Sequence, residues 1–175
     1  MRKLLFTTAL LLVLAGISWA VPTTVTVRAK SKDAKFIGSS MGGALVVIRD
    51  AETGAILAKG LTAGGTGDTQ KIMVEPVKRG MQISDASTAK YEATLDISEP
   101  KFVTIEVSGP MGQKQSIAKS TTQVWILPGE HIEGDGVMVE IPGFSVSLLA
   151  PKTHETYKLS DEGITVPVRA NIVMM

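Results

Sequence analysis

After residue 20, apolar and polar side chains alternate along most of the chain, a period that turns one face of a strand to a core and the other to water. Val25 and Val27 alternate with Thr24, Thr26 and Arg28. Tyr91, Ala93, Leu95 and Ile97 are interleaved with Glu92, Thr94 and Asp96. Val103, Ile105 and Val107 alternate with Phe102, Thr104 and Glu106, and Val137, Val139 and Ile141 with Met138 and Glu140. Phe144, Val146 and Leu148 alternate with Ser145 and Ser147. Val, Ile and Thr fill roughly a quarter of all positions, a bias toward residues that suit a pleated, half-buried surface. Residues 44–48 and 124–127 are apolar throughout, as in central strands covered on both faces, and Trp125 is the predicted core anchor.

No stretch after residue 20 keeps a helical stripe without Gly or Pro. The best helical candidate, Ser84 to Lys90, offers two turns at most, capped by Ser84 or Asp85. Arg49-Asp50-Ala51-Glu52-Thr53-Gly54 predicts a hairpin loop between strands at 44–48 and 55–61, with Gly54 as the left-handed residue. Other expected connections are 128–136, between strands at 122–127 and 137–141, and a basic, solvated loop carrying Arg28, Lys30, Lys32 and Lys35. Short strands separated by turn residues predict an all-β fold, an antiparallel β-sandwich.

The start of the chain is different. Met1-Arg2-Lys3 precedes an apolar run from Leu4 to Ala15, and Ser18-Trp19-Ala20 gives the small-x-small ending of a secretory signal peptide cleaved after Ala20. The run is shorter than the ~20 residues a bilayer span needs, so a membrane anchor is the weaker reading, and no second long apolar stretch would hold the mature chain in a membrane. The predicted location is periplasmic or extracellular. Loss of Arg2 and Lys3 with the leader takes 18 basic residues to 16, against 17 acidic, a balance that does not steer toward nucleic acid. Cysteine is absent, so neither a lipidated cysteine nor a disulfide framework is available, and stability must come from an apolar core.

The stretch Gly42-Gly43-Ala44-Leu45-Val46-Val47-Ile48-Arg49-Asp50-Ala51-Glu52-Thr53-Gly54, with Gly60-Leu61-Thr62, resembles immunoglobulin-like and carboxypeptidase-regulatory-like β-sandwich modules of exported bacterial proteins. The likeness spans only residues 42–62 and ends at Ala63-Gly64-Gly65-Thr66-Gly67-Asp68, where an Asp-x-x-Gly-x-Phe continuation would be expected. It implies an immunoglobulin-like sandwich with an adhesion, binding or spacer role, and it carries over no functional residue. The expected organisation is a leader at 1–20, a sandwich at 21–142 and a hairpin at 143–175 with strands at 144–150 and 164–175. Pro167 marks the second of these strands as an edge. The hairpin either completes the sandwich or opens a second immunoglobulin-like module that is cut short, and the second alternative is preferred.

Chemical motifs are sparse. Gly38-Ser39-Ser40-Met41-Gly42 matches G-x-S-x-G, but Gly43 and a β-branched run follow in place of the helix a nucleophile elbow requires, so the segment is read as a loop. No local signature of a glycosidase carboxylate pair accompanies it. Gly64, Gly65, Thr66, Gly67 and Asp68 could form a backbone nest for an anion, without the Lys-Ser/Thr end of a P-loop. Glu130, His131, Glu133 and Asp135 make the densest set of candidate metal ligands, on a Gly-containing loop of the kind hard cations favour. His131 and His154, with Met174 and Met175, are the candidate soft ligands for copper. The expected function is a non-catalytic exported module with a structural or binding role toward a protein or cell-envelope component, with no cofactor; the alternative is periplasmic handling of copper or calcium.

Overall fold

The structure, a computed structural model, describes residues 19–175. The predicted leader lies outside the described residues except for Trp19 and Ala20. Nine strands follow one another: β1 (Val21–Ser31), β2 (Leu45–Asp50), β3 (Ile56–Leu61), β4 (Tyr91–Ile97), β5 (Lys101–Gly109), β6 (Ala118–Ile126), β7 (Ile132–Ile141), β8 (Phe144–Ala150) and β9 (Arg169–Met174). Helical structure among the described residues is limited to single turns at Ser39–Met41, Gln70–Val74 and Lys114–Ser116, and no helix there is long and apolar enough to cross a membrane.

The protein is an all-β sandwich. One sheet runs β4-β1-β7, the other β3-β2-β5-β6, and β8-β9 form a separate two-stranded ribbon. Every pairing is antiparallel except β1 with β7. A parallel pair requires a long crossover, which the intervening strands β2 to β6 provide.

The alternation read from the sequence sets the core. Val25, Val27 and Ala29 of β1, Ala93, Leu95 and Ile97 of β4, and Val139 and Ile141 of β7 face Val46 and Ile48 of β2, Val103, Ile105 and Val107 of β5, and Ile126 of β6. The 49–54 hairpin forms as expected. Gly54 takes a φ of +73°, and the Asp50 carboxylate accepts the amides of Glu52 and Thr53 at 2.9 Å.

Five expectations are corrected. Trp125 is 57 % exposed and tilts against Phe102, ring centres 5.0 Å apart: the pleat of β6 turns Val124 and Ile126 toward the core and Trp125 to the exposed outer face of the sheet. In β8 the period holds but the face is inverted, with Ser145 buried and Phe144, Val146 and Leu148 exposed. Residues 164–168 belong to no strand, and Pro167 precedes β9. Ser84 to Lys90 is no helix, because the Asp85 carboxylate accepts the amides of Ser87 and Thr88 and closes a turn, the local bond that competes with helix. The expected basic loop begins as strand: Arg28 lies within β1 and is 3 % exposed.

Arg28 is buried because β1 is covered twice. Its inner face meets the other sheet. Its outer face, with Thr26 and Arg28, lies under the excursion from residue 62 to residue 90, whose Ile72, Ile83 and Ala89 form a second small core with Phe36 from the segment after β1, with Met138 against it.

Candidate functional site

Where β1 meets β7 the register slips. Val25 pairs with Ile132, but Val27 pairs with Val137, so Glu133, Gly134, Asp135 and Gly136 bulge out of the ladder. Gly134 and Gly136 supply the left-handed backbone this needs, at φ of +67° and +64°. A Cβ on Gly136 would also collide with the Thr26 carbonyl. Such a bulge re-aims the groups it carries. The Gly134 carbonyl accepts from Nε and Nη2 of Arg28 at 3.2 and 3.0 Å, while Nη1 donates to the carbonyls of Thr88 and Ala89 at 2.5 and 3.0 Å. The guanidinium also lies 5.9 Å from the centre of the Phe36 ring, within cation–π reach.

The second clamp is Asp135. Its carboxylate accepts the amides of Ile83 and Ser84 at 3.0 and 2.8 Å and the Ser84 hydroxyl at 2.5 Å. Burial works to raise its pKa, yet these donors and the nearby Arg28 charge outweigh burial and leave it lowered. For Arg28, burial dominates and lowers the pKa, opposed by Asp135, Asp85 and Glu92; guanidinium nevertheless stays charged. Asp85 is held at about 2 by the hydroxyls of Ser87 and Thr88, then by their amides. Beside these clamps lies a polar cleft of about 430 Å³, lined by Thr26, Arg28, Asp85, Lys90, Glu92 and Glu133 among others. Lys90 and Glu92 form an ion pair across its rim.

The expected metal set is thus divided by the fold. Asp135 faces the 83–84 amides, Glu130, His131 and Glu133 are exposed, and His131 Nδ1 accepts the Thr24 amide at 3.0 Å. Residues 132–136 belong to β7 rather than to a loop. Among the described residues no group of three or more His, Cys, Asp or Glu side chains could hold a metal ion.

Two of the N–H groups that a nest at Gly64 to Asp68 would offer are also engaged. The Gly64 amide donates to Ser39 Oγ at 3.1 Å and the Gly65 amide to the Ser87 carbonyl at 2.8 Å. Asp68 accepts the Lys71 amide at the turn that follows. Thr66, however, lines a second cavity of about 360 Å³, where Met174 and Met175 are joined by Met41 and Met73. Ser40 of the G-x-S-x-G match also lines it, on a single 3-10 turn closed by left-handed Gly42. His154 lies in the β8–β9 connection with φ +63°.

Arg28 is the residue that sequence reasoning missed. Its position between Thr26 and Lys30 reads as the wet face of a strand, and only the distant segments that cover it reveal otherwise. Comparison of the chain with protein-family models, with curated proteins and with solved structures finds no match.

Proposed function

We propose that this chain is a non-catalytic, exported β-sandwich module that binds a protein of the cell envelope through its β8–β9 ribbon. The observation that carries this reading is an uncovered apolar face. Phe144 pairs with Met174, Val146 with Ile172 and Leu148 with Ala170, so all six side chains project from one side. The five larger ones are between 45 % and 64 % exposed. A continuous apolar surface rimmed by polar residues marks an interaction site in a soluble protein.

The ribbon's edges differ as well. Along β8 the outer edge is occupied: the Gln115 side-chain amide accepts from Leu148 N at 2.9 Å and donates to Leu148 O at 3.3 Å, and Ser116 Oγ donates to the Val146 carbonyl. β9 has no strand on its other side among the described residues. An uncharged extended segment fits there, adding a strand by main-chain hydrogen bonds while its apolar side chains extend the exposed face. The basic start and apolar run of residues 1–20 support export. A non-catalytic role is supported by the way Arg28, Asp135, Asp85 and Asp50 are engaged with neighbouring backbone, as clamps on loops.

A photo-reactive amino acid placed at Val146 or Ile172 in cells of origin tests the proposal, with Lys59 as the control position. The expected result is an exported chain beginning at Val21, with one envelope protein cross-linked from the ribbon positions only. Retention in the cytosol, or equal labelling from Lys59, overturns it.

A further inference from the structure

We infer that the methionine-lined cavity is a thioether site for a soft monovalent cation, Cu(I) or its analogue Ag(I). The chain has eight methionines, and four of them, Met41, Met73, Met174 and Met175, line this one cavity. They arrive from three separate places: the 3-10 turn before β2, the π-turn at Gln70–Val74, and the end of β9. Hydrogen bonds hold those places together. The Gly64 carbonyl accepts the Ser39 amide at 3.0 Å, the Thr66 carbonyl accepts the Phe36 amide at 3.2 Å, and the Met175 carbonyl accepts the Lys35 amide at 3.4 Å.

The chemistry follows from the donor set. Thioether sulfur is neutral and polarizable, and soft ligands of this kind select Cu(I), whereas carboxylate and carbonyl oxygen suits Mg, Ca and Mn. No Asp, Glu or His side chain lines the cavity. Its remaining polar side chains are the hydroxyls of Ser40, Thr66 and Thr69 and the Lys35 ammonium, which donates to Thr69 Oγ1 at 3.2 Å. Met73 is 39 % and Met174 57 % exposed, whereas Met175 is 7 % exposed, so the cavity is bounded by methionines both at the surface and in the interior. Thioethers carry no proton to lose, and a site built from them alone binds independently of pH, unlike one that uses His, Cys or carboxylate.

The test is Ag(I) and Cu(I) titration of the purified protein against a chromophoric chelator at pH 5 and pH 8. Parallel titrations use Met41→Leu, Met73→Leu and the control Met81→Leu. Met→Leu conserves volume at a cost usually below about 1.5 kcal/mol, and a circular-dichroism melt verifies that each variant is folded. One equivalent bound at equal strength at both pH values, weakened at least tenfold by each cavity variant but not by Met81→Leu, with sulfur-only coordination in X-ray absorption, is the expected result. Absence of binding, loss of affinity at pH 5, or unchanged affinity in the cavity variants would each overturn the inference. So would a cavity that takes up only apolar ligands.

Discussion

At the scale of single residues, exposure separates two large side chains that the sequence presents as equivalent. Trp125 lies in an apolar run, but its ring is on the outer face of an edge strand, supported by Phe102. Ile105 is fully buried between the sheets. Truncating Ile105 to Ala removes packed atoms and leaves a cavity, at a cost of about 3–4 kcal/mol, whereas Trp125→Ala loses an exposed aromatic contact worth about 1 kcal/mol. Urea unfolding of both variants checks the order, and a Trp125→Ala cost equal to that of Ile105→Ala would place the indole in the core after all. Which residues alternate is legible locally. Whether the outward member is also covered is not, and Trp125 and Arg28 depart from expectation in opposite directions for that reason.

At the scale of elements, the β7 bulge and the 62–90 excursion form one device. Arg28 on β1 and Asp135 on the bulge each supply charge-assisted hydrogen bonds to backbone that has no strand ladder of its own. Arg28→Met keeps an apolar stem beside Phe36 but leaves the carbonyls of Gly134, Thr88 and Ala89 without these donors, and it should cost about 3 kcal/mol. Hydrogen exchange locates the damage: amides at 83, 84 and 89 are expected to lose protection while those of β5 keep theirs, and uniform loss across the sandwich would contradict the clamp. The Asp85 turn gives a pH-dependent prediction. Its folded pKa of about 2 lies below the ~3.9 of an unfolded Asp. Its contribution is therefore complete above the unfolded value and is lost as pH falls through about 2. The Ser87 and Thr88 amide resonances should titrate with that low midpoint; a midpoint near 4 would mean the hydroxyls do not engage the carboxylate.

At the scale of the whole molecule, two stacked sheets with an apolar interior supply the stability that a chain without cysteine must find in burial. The β-sandwich, the 49–54 hairpin and the inward set on β1, β4, β5 and β7 were all readable in the order of residues. Alternation is a local property, and a strand with one apolar face has few ways to hide it. The candidate site was readable only in fragments. Thr66, Met174, Met175, Glu133 and Asp135 stood out by type, but the first three meet at one cavity, Glu133 lines another, and Asp135 is turned to the amides of Ile83 and Ser84. Arg28 shows why: its partners are Thr88 and Gly134, 60 and 106 positions away along the chain, and no window of sequence contains them together. The same limit applies to β8, whose period fixes two faces without saying which one a neighbour will cover. Strand identity and the division of each strand into two faces thus came from side-chain chemistry along the chain. Burial of a cation, exposure of an apolar face and convergence of four methionines came from long-range packing, because each depends on what the folded chain lays across that residue.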